Sequence, residues 1–383
     1  MAALLGMIFA AAIVIYILIL YPLLLAFNIR KKRPPVRKDP GFRATVTVVM
    51  AVYNGAAFIR QKLESILDLD YPHELMQILI VSDGSTDETE SIVKQYARRG
   101  VDLLVRQHAG KAACLNAAFE QATGEILFLT DVRQMLDRAA LTHLVANFAD
   151  PTVGAVTGEM RLLPGASGEQ QDMGLYWRYE LWARRRQSEL DSLFNTTGCI
   201  YALRRCFALP LEPDTLSDDA VLPLRAFFAG QRVIFDPEAI AFDYPALPGT
   251  EFRRRRRNLA GLWQVHIRTP RLFTSANRMR IHFLSHKFGR LVLPWAMLAV
   301  IVCTVMLPGG RGRTLLLVDE AALLALALMD GWIPRWFPLK RLSSPARTFL
   351  LMNAAALAAT AVFFVPAQKL WKPTRVVGGS VPH

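Results

Sequence analysis

Two adjacent carboxylates, Asp218 and Asp219, follow Ser217 and precede the apolar run AVLPLRAFFAG. Acidic residues at the start of a helix are favourable capping residues, because they face the positive end of the helix dipole. The same groups can act as a general base that takes a proton from an attacking hydroxyl. The pattern alone leaves both interpretations open, and capping is the commoner of the two.

Three other charged residues stand where strands end or helices begin. Asp83 lies in the turn SDGSTD, where its carboxylate can accept hydrogen bonds from a base or ribose, or cap the next helix. Lys111 follows Gly110 at a predicted helix start, an arrangement that favours a diphosphate but also occurs in a plain glycine turn. Asp131 ends the apolar run EILFLTD, where it needs water or a cation bound with a nucleotide diphosphate.

Five consecutive arginines at 253–257 precede the C-terminal apolar region. No interleaved aromatic residues or nucleic-acid-binding motif accompany them, so we expect no nucleic-acid partner. Contact with membrane lipids or with a diphosphate fits better. His282 and His286 have helical metal-ligand spacing but lack an evident third ligand, and we interpret them as interfacial residues.

Alternating strands and helices must position these side chains. Strands are predicted at 45–52, 77–81, 101–105 and 125–129, a helix at 110–122, and a helix after the first strand with Phe58, Leu63, Ile66 and Leu67 on one face. This order predicts an α/β fold with an open, mostly parallel sheet and flanking helices. Ligands of such sheets bind beyond the carboxyl ends of the strands, where the polar clusters 53–54, 82–87 and 130–134 fall.

The 383 residues are 52% hydrophobic with a net charge of +13, which predicts membrane spans around one sizeable domain. The middle C-terminal apolar run carries Asp319 and Glu320 and is the weakest span. The positive-inside rule predicts an integral protein of the inner or plasma membrane with a cytoplasmic catalytic domain. We predict a transmembrane helix at 1–28, a basic linker at 29–44, the globular domain at 45–265, interfacial helices at 266–290, a transmembrane region at 291–370 and a tail at 371–383.

Four cysteines, without a CxxC pair, are expected to be free, buried thiols in a reducing compartment. The chain also lacks a GxSxG elbow and a Walker A motif. These patterns argue against Ser-His-Asp catalysis of the α/β-hydrolase type and against P-loop phosphate binding.

The order of the motifs is more specific than any one of them. They read VYN at 52–54, SDGSTD at 82–87, GKAACLN at 110–116, TD at 130–131, TGCIYALRR at 197–205, SDDAVLP at 217–223, and an arginine-rich stretch ending GLWQ at 261–264. Over residues 45–265 the chain resembles the family-2 glycosyltransferases with a GT-A fold. The resemblance is greatest to the membrane synthases related to hyaluronan, chitin and cellulose synthases.

The resemblance implies inverting transfer from a nucleotide-sugar donor, with uridine diphosphate as the usual carrier, to a saccharide acceptor in polysaccharide synthesis. It implies Asp219 as the general base and Asp218 as its support. The donor would be bound by Tyr53, Asn54, Asp83, Lys111, Asp131 and Arg133. The acceptor and the diphosphate would be contacted by Tyr201, Arg204, Arg205, Arg254, Arg257 and Trp263.

Two departures from the family pattern keep alternatives open. The usual Asp-x-Asp motif reads Asp131-Val132-Arg133, which puts a Mg²⁺ or Mn²⁺ ion at Asp131 in doubt and suggests that Arg133 partly replaces it. The Gln-x-x-Arg-Trp motif keeps only Arg257, and Trp263 is displaced. Single-sugar transfer to a lipid-linked acceptor is therefore an alternative, as is a catalytically silent nucleotide-binding scaffold for partner subunits.

Overall fold

The computed structural model describes residues 1–27, 33–163, 174–244, 250–334 and 336–366. The chain divides into two compact units. The sheet unit comprises Lys31–Ala166, Gln187–Leu247 and Arg375–His383. The membrane unit comprises Met1–Arg30, Ser167–Arg186 and Pro248–Thr374. Residues 29–32 of the predicted basic linker and the whole tail 371–383 lie outside the described residues.

An eight-stranded mixed sheet forms the centre of the sheet unit, in the order β3-β2-β1-β4-β7-β6-β8-β5. The strands are β1 (Val46–Val52), β2 (Met76–Asp83), β3 (Val101–Arg106), β4 (Ile126–Leu129), β5 (Met135–Leu136), β6 (Val153–Leu162), β7 (Tyr201–Arg204) and β8 (Arg232–Asp243). The first four strands pair in parallel, as predicted, and β6 is parallel to β8. β7 runs antiparallel to both β4 and β6, and β5 runs antiparallel to β8.

Eleven helices of more than five residues accompany the sheet within the described ranges. They are α1 (Ala2–Ala26), α2 (Ala56–Leu67), α3 (Thr89–Lys94), α4 (Lys111–Gln121), α5 (Ala140–Ala146), α6 (Gly174–Leu190), α7 (Asp218–Phe228), α8 (Glu251–Arg268), α9 (Arg280–Met306), α10 (Arg311–Leu328) and α11 (Lys340–Phe363).

The core of the sheet unit follows from sequence periodicity. β1 is a run of mainly β-branched residues, nearly all buried, as expected for a strand covered on both faces. α2 buries Ile59, Leu63, Ile66 and Leu67, which share one face at helical spacing. The predicted face included Phe58 in place of Ile59; Phe58 is only half-buried because it lies one residue off this stripe.

Strand direction decides which residues share an edge of the sheet. Val52 pairs with Ser82 in the β1–β2 register, so the ends of these two strands coincide. Leu129, the last residue of β4, pairs with Tyr201, the first residue of β7. Because β7 is antiparallel to β4, the segment that enters β7 lies at the same edge as the residues that leave β1, β2 and β4.

The membrane unit contains, among the described residues, three helices long and apolar enough to cross a bilayer, namely α1, α9 and α11. α10 does not meet this description; it contains Asp319 and Glu320, the residues that made this run the weakest predicted span. α1 packs against α9, and the hydroxyls of Tyr16 and Ser285 lie 2.7 Å apart. α9 begins at Arg280, inside the stretch predicted as interfacial.

The four cysteines are all free, and Cys114 and Cys199 are buried. Cys206 is exposed, however, so the expectation of buried thiols is wrong there. It lies in a short helical turn directly after β7, at the surface of the sheet unit.

Candidate active site

Lys111 lies between two carboxylates at the edge of the sheet. It is the first residue of α4, and its Nζ is 3.0 Å from Asp131 Oδ1 and 3.1 Å from Asp218 Oδ1. Burial lowers the pKa of the Lys111 ammonium, but the two carboxylates outweigh this effect and raise the pKa above its ordinary value. The ammonium therefore stays charged, and three residues far apart in sequence are joined through it.

Tyr201 extends this group from β7. Its hydroxyl donates a hydrogen bond to Asp218 Oδ2 at 2.9 Å, and its side chain is fully buried. Burial and the negative charges of Asp218 and Asp219 raise the pKa of Tyr201 well above its usual value, so the phenol stays protonated. Both oxygens of Asp218 are thus held. We call Lys111, Asp131, Asp218 and Tyr201 the carboxylate cluster.

Asp219 lies beside this cluster in the first turn of α7. Its carbonyl oxygen accepts hydrogen bonds from the Thr196 backbone N–H at 2.8 Å and from Thr196 Oγ1 at 2.9 Å. A Cβ added at Gly198 would lie 3.6 Å from Asp219 Oδ2, so the segment before β7 passes close to the carboxylate. Asp219 is therefore half-buried, and the segment before β7 contacts both its backbone carbonyl and one side of its carboxylate.

Asp83, the last residue of β2, holds the loop that leads into Lys111. Its Oδ1 accepts hydrogen bonds from the backbone N–H groups of Ala109 at 2.8 Å and Gly110 at 3.1 Å. His108 Nδ1 lies 3.0 Å from Asp83 Oδ2, and the Asp83 side chain is almost wholly buried. The structure thus gives Asp83 a positioning contact, and its contact with a nucleoside stays a prediction.

Tyr53 and Asn54 follow β1 at the same edge. The rings of Tyr53 and His108 lie 4.5 Å apart at an interplanar angle of 36°. Tyr53 is 37% exposed, which leaves ring surface open for stacking on a base. Asn54 has a positive φ of 49°, a conformation that asparagine tolerates better than most residues, and its Oδ1 accepts a hydrogen bond from Thr86 N at 2.8 Å.

Arg133 has a carboxylate partner that the sequence did not indicate. Its Nε and Nη2 each donate to one oxygen of Asp243, both at 2.8 Å, and Asp243 ends β8 fully buried. This is a bidentate pair of the strongest kind. The Arg133 guanidinium is therefore already bound to a carboxylate. This weakens the hypothesis that Arg133 takes over part of a cation's function.

Asp131 is the carboxylate best placed for a divalent cation. The described residues contain no group of three or more His, Cys, Asp or Glu side chains that could hold a metal by themselves. Mg²⁺ commonly uses one or two protein carboxylates together with substrate phosphates, so Asp131 with a bound diphosphate fits such an ion. Asp131 Oδ1 is shared with Lys111, and its side chain is 40% exposed.

Arg204 and Arg205 are not brought to this edge. Arg204 pairs with Ile126 at the start of β4, and its guanidinium donates to the carbonyl oxygens of Val153 and Phe148. Arg205 is exposed, and its backbone N–H bonds to the Glu125 carbonyl. The antiparallel strand that brings Tyr201 to the cluster carries these arginines away at about 3.3 Å per residue.

Arg254, Arg257 and Trp263 lie on α8 of the membrane unit. Arg254 Nε is 3.7 Å from Glu251 Oε2, one helical turn earlier. The Trp263 ring packs edge-on against Phe363 at 5.3 Å and Phe288 at 6.4 Å. Within its own unit Trp263 therefore belongs to a packed aromatic group, and its predicted acceptor contact stays a prediction.

Sequence reasoning missed three residues at this edge. They are His108, Asp243 and Lys62, a fully buried lysine on α2 that donates a hydrogen bond to Thr130. His108 had a signal, because it stands two residues before the Gly110-Lys111 pair. Lys62 also had one, since a lysine three residues after Ile59 and four before Ile66 lies on the apolar face of α2. Asp243 had none, because nothing local distinguishes a buried strand-ending aspartate from a turn residue.

Residues 47–209 match the family model for glycosyl transferase family 2. Poly-β-1,6-N-acetyl-D-glucosamine synthase from Staphylococcus aureus is 25% identical over 244 residues, which are 62% of this chain and 56% of the relative. The corresponding synthase from Staphylococcus epidermidis is 25% identical over 232 residues, 58% of this chain and 53% of the relative. The match thus spans just over half the length of these curated relatives.

A solved mannosyltransferase from Pyrobaculum calidifontis, in complex with GDP-mannose and Mn²⁺, is similar over nearly the whole chain. It aligns with a TM-score of 0.75 and 25% identity, and the match covers 93% of this chain and 97% of that one. The family match covers the strands and the loops that build the carboxylate cluster up to β7, and the shared fold extends to the helices on either side. Residues 47–209 of this chain are thus similar to glycosyl transferase family 2, and the fold of the chain is of the GT-A type.

Proposed function

We propose that the enzyme transfers a sugar from a nucleotide-sugar to a hydroxyl of a saccharide acceptor, with inversion at the anomeric carbon, in polysaccharide synthesis. The observation that carries this proposal is the bridge from Lys111 to both Asp131 and Asp218, with Asp219 next in the chain. In this proposal, one cation, the start of a helix and three carboxylates receive the diphosphate and the attacking hydroxyl. The similarity to the poly-N-acetylglucosamine synthases supports a polysaccharide product.

In this mechanism each residue has a separate task. Tyr53 stacks on the base, with the loop held by Asp83 beneath the nucleotide. Lys111 and the N–H groups at the start of α4 stabilise the negative charge that grows on the leaving diphosphate. Asp219 removes the proton of the acceptor hydroxyl for in-line attack, which inverts the anomeric configuration. Asp218, fixed by Lys111 and Tyr201, orients the start of α7.

A divalent cation would be held by Asp131 together with the donor's phosphates. The mannosyltransferase of similar fold was solved with Mn²⁺, which supports the same ion here. When bound, the ion neutralises charge on the leaving nucleotide. Because Arg133 already forms an ion pair with Asp243, it does not replace the ion in this proposal.

Single-sugar transfer to a lipid-linked acceptor is the second candidate. It stays open because the synthase match covers just over half of the relatives, whereas the mannosyltransferase match covers almost all of both chains. The ring packing of Trp263 against Phe363 favours it, because processive family members resembling this chain have a tryptophan that stacks on the acceptor sugar. The donor of that mannosyltransferase makes a guanosine diphosphate sugar a candidate beside the uridine one.

We propose that the sheet unit faces the cytoplasm. α1 is followed by the basic segment at 30–38, which the positive-inside rule assigns to the cytoplasmic side. Two further spans, α9 and α11, would return the basic segment 369–375 to that side. An even number of C-terminal spans thus satisfies the rule at both basic segments.

Nucleotide release by the purified full chain in nanodiscs tests the proposal. The panel comprises UDP- and GDP-sugars, each with and without chelator and with saccharide or lipid extract as acceptor. Release from one donor, lost in chelator and restored by Mn²⁺ or Mg²⁺, is the expected result, and product length separates polymer from single transfer. Release undiminished by chelator would return the cation's function to Arg133. No release despite nucleotide binding would favour the silent scaffold.

A further inference from the structure

A fully buried lysine lies beneath the loop that carries Asp131. Lys62 projects from α2, and its Nζ donates hydrogen bonds to Thr130 Oγ1 at 2.7 Å and to the Gln134 carbonyl oxygen at 2.5 Å. Thr130 and Gln134 are themselves buried and flank residues 131–133 on either side. One ammonium group therefore holds both ends of the loop that presents Asp131 and Arg133.

Lys62 is an unfavourable residue for packing alone. Among the described residues it forms no ion pair, and both of its hydrogen-bond acceptors are neutral oxygens. Burial lowers its pKa to about 7, against the opposing influence of Cys199 and Asp131. A methionine would fill similar space on α2 without a desolvation cost but would remove the donor to Thr130 and Gln134, so what the lysine contributes is its hold on the loop.

The same hydrogen-bond chain reaches the loop beside Asp219. Thr130 Oγ1, which accepts from Lys62, donates its own proton to the Cys199 carbonyl oxygen at 2.8 Å. Cys199 follows Gly198, whose added Cβ would lie 3.6 Å from the Asp219 carboxylate. A single buried hydroxyl thus connects Lys62 to the loops on both sides of the transfer site.

We propose that Lys62 is a positioning residue for sugar transfer, which sets the relative placement of the Asp131 loop and the segment facing Asp219. It touches neither donor nor acceptor and acts through Thr130. The inference rests on the proposed function, because it assigns these two loops to the donor and the acceptor hydroxyl. Its effect should fall on the rate of the bound complex more than on donor binding, since Tyr53, Asp83 and Lys111 lie on other elements that Lys62 does not hold.

The decisive experiment compares Lys62→Met, Lys62→Arg and Thr130→Val with the wild type and with Lys94→Met, an exposed lysine on α3, as control. We expect Lys62→Met to lower kcat about ten-fold or more while the donor KM changes by less than about three-fold, because geometry is lost and binding is kept. Lys62→Arg should recover part of kcat. Thr130→Val should lower kcat as well. The double variant Lys62→Met/Thr130→Val should have a kcat no lower than that of the slower of these two single variants.

Hydrogen exchange provides a readout that does not need activity. The segment 130–136 should exchange faster in Lys62→Met, whereas 101–106 at the far edge of the sheet should not change. A folded Lys62→Met variant that retains the wild-type kcat overturns the inference, even if its loop exchanges faster. This outcome leaves the proposed function intact. If wild type transfers no sugar, the proposed function fails, and unchanged exchange at 130–136 then overturns the inference too. Should Lys62→Met not fold, additive effects of Thr130→Val and Lys62→Arg on kcat would overturn it.

Discussion

Two clusters of charged side chains among the described residues, one taken from each unit, differ in their exposure to solvent. In the sheet unit, Lys111 bridges Asp131 and Asp218, and its side chain is 34% exposed. In the membrane unit, the Glu180 carboxylate accepts from Lys287 at 3.0 Å and Arg290 at 2.5 Å, and its side chain is 8% exposed. The first cluster has negative charge in excess, and the second has positive charge in excess.

We interpret this difference as one between the proposed site for chemistry and a structural support. An open ion pair can exchange one partner for a substrate phosphate or hydroxyl, because water and ligand reach it. A closed pair cannot do so, and breaking it leaves buried charges without compensation. We therefore expect substitutions in the carboxylate cluster to change activity at constant stability, and substitutions at Glu180 to do the reverse.

The largest effect is expected for Asp219→Asn. Loss of the general base should lower kcat by about 10³-fold, within the range found for such groups, while the donor KM stays nearly unchanged. Nucleotide release and donor binding by the same preparation measure the two quantities. Asp102→Asn, an exposed aspartate on β3, is the matched control. Surviving transfer would assign the base to Asp218 or to another group.

Glu180→Gln should destabilise the protein by about 3–5 kcal/mol, because buried cations lose their common carboxylate. Burial raises the pKa of Glu180, but Arg290 and Lys287 outweigh it and hold the pKa well below its ordinary value. This stabilisation is thus complete above the unfolded pKa of about 4.3 and is lost only in strong acid.

Thermal unfolding in nanodiscs measures this effect. Glu120→Gln, an exposed glutamate on α4, serves as the control and should unfold like the wild type. A Glu180→Gln enzyme that unfolds at the wild-type temperature but has lost kcat would reverse the comparison between the two clusters.

Lys111→Met should lower kcat/KM by about 10²-fold, because one cation at the leaving diphosphate is removed and Asp131 and Asp218 then repel each other. Lys111→Arg should retain part of the activity, since the charge is kept but the geometry differs. Steady-state kinetics over a range of donor concentrations distinguishes loss of affinity from loss of rate. An unaffected Lys111→Met variant would remove the bridge from the mechanism.

The smallest effect is expected for Arg205→Ala. Its exposed side chain follows β7 at the edge opposite the carboxylate cluster, so kcat/KM should stay within about two-fold of wild type, as for most exposed substitutions. The same kinetic assay applies. A large loss would restore the acceptor function that the resemblance implied for this arginine.

The sheet edge at which the predicted donor-binding residues lie was largely predictable because its strands are local. Strands β1 to β4 have clear apolar runs, and Tyr53, Asp83 and Asp131 each follow a strand that ends at the same edge. The residues alone left Asp218 open between capping and general-base catalysis, because its contact with Lys111 requires the later strands to fold back on the sheet. Local periodicity carries no information about that return.

Strand direction and distant pairing explain the remaining errors. The motif TGCIYALRR indicated one functional segment, but an extended strand with a fixed direction separates Tyr201 from Arg204. Arg133 appeared to be an unpaired charge in the acidic motif, yet its partner Asp243 lies 110 residues later in the chain. Lys62 was not singled out from the sequence, although it lies on the apolar face of α2.

The chain order of the parallel and antiparallel strands also has a consequence for biosynthesis. Synthesis proceeds from the N-terminus, and segments can begin to fold as they emerge. Lys111 and Asp131 are 20 residues apart, and the strands beneath them are complete before β7 exists. Asp218 and Asp219, the proposed base, arrive much later. A nascent chain can therefore assemble the proposed nucleotide-binding half first, while the proposed base is still absent.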